Sequence, residues 1–171
     1  SKPDINGTLN VTWLHGAVAS NLHTKVTVTL TNAATSFPKY PDYTFTDAAK
    51  KFEPEEQTLF DGSVDETGNA VIPGRINPDH QAPGMLNAHF TTRVFEKGGD
   101  FSIDRLSIPY APYSAFVGIK TPQGDKRGML LTDTLHRIDV VLVDENGNPV
   151  SRKQMNAFVY KVDWRNWWES D

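Results

Sequence analysis

Residues 137–168 read RIDVVLVDENGNPVSRKQMNAFVYKVDWRNWW, and this stretch decides the fold. The apolar run at 138–143 is made of valine, isoleucine and leucine around one aspartate, a composition that suits a strand. Asp144-Glu145-Asn146-Gly147-Asn148 follows it. Asn-Gly between two apolar runs predicts a hairpin, because both residues tolerate the positive φ of a tight turn. A second run at 155–162 reads as the returning strand and closes on Trp164, Trp167 and Trp168, set among charges. These residues alone describe a β-sandwich fragment without visible catalytic apparatus.

The same patterning extends outward. At 25–31, Val26, Val28 and Leu30 alternate with Thr27, Thr29 and Thr31, the period-two signature of a half-buried strand. At 85–96, Leu86, Ala88, Phe90, Thr92 and Val94 share one face. Further strands are expected at 8–14, 57–64, 68–72, 101–108, 115–120 and, briefly, 129–131. Asp65-Glu66-Thr67-Gly68-Asn69 repeats the D-E-x-G-N spelling of 144–148 and predicts another strand–turn–strand unit. Lys97-Gly98-Gly99-Asp100 predicts a hairpin loop; a phosphate cradle would need a helix N-terminus after the glycines.

Residues 32–54 differ. Pro38, Pro41 and Pro54 lie among Phe37, Tyr40, Tyr43, Phe45 and Phe52, which predicts a long ordered connection with one helical turn at 47–51. Its aromatics either pin the loop to a sandwich edge or form a platform for sugar or peptide. Pro109-Tyr110-Ala111-Pro112-Tyr113 cannot continue a ladder and marks a boundary. We therefore expect one β-sandwich over 1–110 and a second unit over 111–171. The second unit shows about four strands where a sandwich needs about seven. It reads as truncated at Asp171, or as completing the sheets of the first.

Composition excludes several classes. The chain of 171 residues has no cysteine, which removes disulfides, thiolate metal sites, a Cys nucleophile and any thioester from it. Its net charge of −4 argues against a nucleic-acid partner. No apolar run approaches a membrane span. No signal-peptide pattern is present, and the start at Ser1 reads as an arbitrary cut or a cloning remnant. The five histidines are isolated, and neither H-E-x-x-H nor G-x-S-x-G occurs. An EF-hand loop fails on spacing, since glycine comes fourth in both acidic turns and not sixth. No catalytic, cofactor-binding or metal-binding residue is expected. The interface candidates are Trp164, Trp167, Trp168, Tyr110 and Tyr113; the tryptophans read as a seam against a neighbouring strand or domain, or as a stacking surface for sugars.

Several motifs together resemble one family. Thr92-Arg93-Val94-Phe95-Glu96-Lys97-Gly98-Gly99-Asp100-Phe101-Ser102 is similar to a T-R-V-F-E-x-G-G-D-F-S strand–turn–strand, and Asp65-Glu66-Thr67-Gly68 to a D-x-x-G turn. Pro109-Tyr110-Ala111-Pro112-Tyr113 before Phe116-Val117-Gly118 resembles an inter-domain junction, and Asp163-Trp164-Arg165-Asn166-Trp167-Trp168 a D-W-R-W-W-W stretch with Asn166 replacing one tryptophan. The family is that of the bacterial α2-macroglobulins, with their macroglobulin-like β-sandwich domains. The resemblance implies a non-catalytic scaffold piece of a protease-trapping inhibitor, periplasmic or at the cell surface, in a parent often lipid-anchored to the membrane. The implied partners are neighbouring domains and, through the full-length protein, target proteases; no cofactor is implied. No bait segment is identifiable. Two other readings stay open: a carbohydrate- or peptide-binding module of a surface system, and an accessory β domain of a larger enzyme.

Overall fold

The computed structural model describes residues 5–78, 81–151 and 154–159. Eight strands follow in order: β1 (Ile5–Asn10), β2 (His23–Asn32), β3 (Glu56–Ser63), β4 (Asn69–Gly74), β5 (Leu86–Phe95), β6 (Phe101–Tyr110), β7 (Phe116–Lys120) and β8 (Asp139–Val143). Every pairing is antiparallel, and the described residues contain no helix. The fold is the all-β sandwich that the alternation predicts. One sheet has the order β3-β2-β5-β6, a second pairs β1 with β4, and a third pairs β7 with β8.

Register explains which residues form the core. Val26, Val28 and Leu30 of β2 lie opposite Thr92, Phe90 and Ala88 of β5, so the apolar halves of both strands share one face. At one end of that face Leu30, Leu86, Ala88, Ile76 and Ala82 form a buried cluster. At the other, Ala19, Leu22 and Val64 are buried with Leu9 and Ala70 of the two-stranded sheet and Val94 of β5. The pairing of β2 with β3 steps from Val26↔Phe60 to Thr27↔Thr58, a bulge that leaves Leu59 extra and turns it onto the core. Thr27 on the opposite face is also buried, and its hydroxyl donates to Glu56 Oε2 at 3.2 Å.

Several expectations are corrected. The first strand ends at Asn10, and Thr12 makes only an isolated bridge to Val18. The turn at 65–69 does not close a hairpin between its flanking strands: β3 pairs with β2 and β4 with β1, so the chain changes sheets there. Residues 47–51 form a turn, not a helix, because the Asp47 carboxylate takes the Ala49 N–H at 3.0 Å and competes with helical bonding. Residues 129–131 are exposed and not in a strand; Met129 is spent closing the turn at 125–129. After β8, the return among the described residues is a bridge between Val143 and Pro149 and a bond from Val150 N–H to the Leu142 carbonyl at 2.9 Å. Met155, Phe158 and Val159 are exposed and not in a strand, and the rest of that expected strand lies outside the described residues. The unit after 111 thus shows two strands among the described residues, not four.

One turn is used repeatedly. At 65–69, 125–129 and 144–148 the first N–H donates to the fifth carbonyl and the fourth N–H, a glycine's, to the first. Those glycines, Gly68, Gly128 and Gly147, have φ of 76°, 75° and 78°, which side-chain-bearing residues rarely adopt. The leading carboxylate accepts two further N–H groups: Asp65 Oδ1 from Thr67 and Asn69, Asp125 Oδ1 from Arg127 and Met129, Asp144 Oδ1 from Asn146 and Asn148, all within 3.0 Å. These bonds favour the charged form and hold all three carboxyls below the usual aspartate value. The leading cause is the Thr67 hydroxyl for Asp65, the Met129 N–H for Asp125 and the Asn148 N–H for Asp144.

The sign of the pH effect follows. Above the unfolded aspartate value of about 3.9 both states are ionised and the stabilisation is complete. As pH falls the unfolded chain binds protons first, and the contribution disappears once pH drops through the lowered folded values. Asp65→Asn keeps an acceptor oxygen but removes the charge. Its stability deficit against wild type, read from urea melts, should shrink between about pH 5 and about pH 2. A deficit constant over that range would mean that the charge contributes nothing.

Candidate functional site: the junction between the sheets

The long connection 33–55 leaves β2, crosses to β7–β8, and returns to β3. Phe37 and Phe45 are each 6% exposed, buried with Phe116 and Val143. Phe37 meets Phe45 edge-on at 4.7 Å between centroids, and Tyr40 meets Tyr43 edge-on at 5.6 Å. Burying each phenylalanine contributes roughly 1.5–3 kcal/mol. Of the two readings of this loop, pinning is the one observed: Phe52 packs on the Leu30–Leu86 cluster of its own sandwich, while Phe37, Tyr40, Tyr43 and Phe45 pack on β7–β8.

Backbone and charge reinforce the contact. Thr44 N–H donates to the Ile119 carbonyl at 2.9 Å and Ile119 N–H to the Thr44 carbonyl at 3.0 Å, so the loop bridges to the free edge of β7. Lys120 Nζ pairs with Asp42 Oδ2 at 2.8 Å. That hydrogen bond, with the attraction of the Asp42 charge, raises the Lys120 pKa. Lys39 Nζ donates to Asn148 Oδ1 at 3.1 Å, tying the loop to the turn after β8.

Two glycines make the close approach possible. A Cβ on Gly118 would lie 2.5 Å from Phe45 Cε1 and 2.9 Å from Val141 Cγ1. A Cβ on Gly147 would lie 2.9 Å from Phe37 Cδ1. Each aromatic ring therefore seats over a residue that has no side chain. Sequence reasoning missed these partners. The signal was Gly118 inside a strand, a position where glycine marks close approach of another group.

Tyr113 touches both cores. Its ring packs with the Leu30–Leu86 cluster and, edge-on at 6.1 Å, against Phe116. Its hydroxyl donates to the Ala82 carbonyl at 2.7 Å and accepts from Lys50 Nζ at 3.0 Å. Tyr110 closes β6, packs on the Leu30–Leu86 cluster and points its hydroxyl at the Ile76 carbonyl, 3.5 Å away; burial raises its pKa. Trp164, Trp167 and Trp168 lie outside the described residues. Beside Tyr113 runs an open cleft of about 500 Å³, walled by residues 44–50, 82–84 and 113–119. Its charged groups are Asp47 and Lys50. Among the described residues no group of three His, Asp or Glu side chains could hold a metal, and every buried side-chain nitrogen and oxygen has a partner.

An antiparallel β-sandwich whose own loop is built into the neighbouring β7–β8 pair defines an all-β protein. Residues 2–112 match the family model of the bacterial α2-macroglobulin MG5 domain, and residues 118–171 that of bacterial macroglobulin domain 6. The chain belongs to the bacterial α2-macroglobulin family. Among solved structures it is similar to Escherichia coli α2-macroglobulin activated by porcine elastase, at 20% identity over 85% of this chain and 13% of that one, with a TM-score of 0.46. The native conformation of the E. coli protein gives 18% identity over 85% of this chain and 10% of that one, with a TM-score of 0.48. The chain thus spans 13% or less of the length of these structures. No curated protein sequence matches it.

Proposed function

We propose that this chain is a non-catalytic scaffold segment of a bacterial α2-macroglobulin-like protease-trapping inhibitor. On this reading 1–110 and 111–171 are consecutive macroglobulin-like domains, and the parent works in the periplasm or at the cell surface, anchored by lipid. Neighbouring domains are the direct partners, and target proteases are met through the whole protein. Tyr110 and Tyr113 belong to the domain seam, and Trp164, Trp167 and Trp168 serve against a neighbouring strand or domain.

The observation that carries this reading is the interlock. Loop 33–55 is held to the first unit at both ends, by Thr35 and Phe52, and its middle packs on the second, with Phe37 and Phe45 seated on Gly147 and Gly118. A joint with a buried core and paired backbone moves as one body, which suits a strut that passes displacement along a chain of domains.

The test has two arms. The 171-residue chain, incubated with serine, cysteine and metalloproteases and with chromogenic esters and glycosides, should neither inhibit nor turn over. Stoichiometric inhibition or turnover would overturn the scaffold reading. In the full-length gene product, loosening the joint with Phe45→Ala should reduce protease trapping while expression persists. Unchanged trapping by a variant whose joint is shown to be loosened would equally count against it.

A further inference from the structure

β6 is the outer strand of the four-stranded sheet. It is ten residues long, and all but Tyr110 are exposed. The direction of its free backbone groups can be worked out. Glu96 N–H donates to the Asp100 carbonyl at 2.8 Å, which makes 96 and 100 a hydrogen-bonded pair at the hairpin end. Bonded and non-bonded pairs alternate along an antiparallel ladder. Phe95↔Phe101, Arg93↔Ile103, Thr91↔Arg105, His89↔Ser107 and Asn87↔Pro109 are then the non-bonded pairs. Pro109 agrees, because a residue without an N–H belongs at a position that needs none. Phe101, Ile103, Arg105 and Ser107 therefore turn N–H and C=O groups toward the open edge.

Such an edge is normally blunted by a bulge, a proline or a short strand. Here the β5–β6 register has no shift, and Pro109 stands at the far end. Both faces beside the edge are mixed, with Phe101 and Ile103 on the face of Arg105 and Asp104 on the face of Leu106 and Ile108, so the one basic pair is what distinguishes the two faces. Leu106 and Ile108 lie on one face, 56% and 40% exposed. Arg105 lies on the other, diagonal to Arg93 across the β5–β6 ladder. Lys25, Lys120, Arg127 and Arg137 each have a carboxylate partner. Arg93 and Arg105 have none among the described residues.

We propose that the open edge of β6 docks an extended acidic polypeptide segment. The segment adds as a fifth strand, with carboxylates beside Arg93 and Arg105 and aliphatic side chains beside Leu106 and Ile108. Backbone bonds at 101, 103, 105 and 107 supply the pairing, and the alternation of acidic and aliphatic residues sets the register. The two guanidiniums select for charge, since a basic strand would meet like charge on the same face. The proposal rests on the sheet edge and is independent of the scaffold reading.

The probe is a capped, fluorescein-labelled decapeptide of alternating glutamate and valine, titrated with the 171-residue chain and read by anisotropy. It should bind saturably, roughly tenfold or more tighter than the alternating lysine–valine peptide, and weaken as salt is raised. Arg105→Glu, which sets a carboxylate against the remaining Arg93, should abolish the preference between the two peptides. Ile103→Pro removes an outward N–H without costing a ladder bond and should weaken binding by roughly tenfold. If that variant proves misfolded by circular dichroism, methylating alternate peptide amides makes the same test from the other partner. Equal affinity for both peptides, or binding indifferent to both backbone blocks, would overturn the proposal. Self-association of the chain, measured by light scattering and abolished by Ile103→Pro, would identify a second copy as the occupant and overturn it as well.

Discussion

Phe45→Ala is expected to destabilise the joint by about 3–5 kcal/mol, the usual cost of emptying a buried phenylalanine site. Several features place it in the upper part of that range. The ring is 6% exposed and touches Phe37, Tyr40 and Tyr43 as well as the Gly118 backbone, so removing it leaves a cavity walled by other rings. The walls cannot easily collapse, because Thr44 is bonded to Ile119 on both sides and Asp42 to Lys120. The effect should also be local. Hydrogen exchange should rise at 116–120 and 139–143, while amides of the β2–β5 ladder, whose cluster is built on Leu30 and Leu86, keep their protection. Uniform loss of protection through both sheets would mean that the two cores unfold as one unit. Protection unchanged at 116–120 would mean that Phe45 does not hold the joint.

How much of this was legible in the sequence depends on the range of the cause. Alternation at 25–31 and 85–96 marks the buried faces of β2 and β5 because period two is a local property of a pleated strand. The acidic turns at 65–69 and 144–148 are legible for the same reason, whereas the third, at 125–129, is not. It carries the same aspartate-to-glycine spacing without the Asp-Glu opening and the closing asparagine that the other two share. Pairing is not local. Nothing in 57–72 shows that its two strands join different sheets, since that depends on β1 and β2 being available as partners. The joint lies between these cases. Five aromatics among prolines announced that loop 32–54 is ordered, but not against what. The answer needed Gly118, 73 residues after Phe45, and Gly147, 110 residues after Phe37, to be seen as places where a ring could sit. Tyr110 and Tyr113 were visible near a boundary, but the expectation that Pro109 breaks the ladder is corrected: β6 runs on to Tyr110, with Pro109 paired to Asn87 at a position that needs no N–H. That Tyr113 shares both clusters follows only from the packing.

Gly118→Val tests the same contact from the other side, by overfilling in place of emptying. The new Cβ would stand 2.5 Å from Phe45 Cε1 and 2.6 Å from Cζ, well inside van der Waals contact. The ring must move out of a site closed by Phe37 and Val141, and overpacking of that kind costs about 1–3 kcal/mol. Valine is otherwise well suited to a strand, so propensity does not contribute to the loss. The two substitutions should therefore not add. In Phe45→Ala the space over Gly118 is vacant, and the valine of the double variant can enter it, relieving the clash and filling part of the cavity. The double variant should be more stable than the sum of the singles predicts by about 1–3 kcal/mol, the coupling expected of residues in direct contact. Leu30→Ala, buried in the other cluster, provides the control pair, and its loss should add to that of Gly118→Val within about 0.5 kcal/mol. Strict additivity in the Phe45–Gly118 pair would mean that ring and glycine do not share a site. The joint would then be held by Thr44, Asp42 and Lys39 alone.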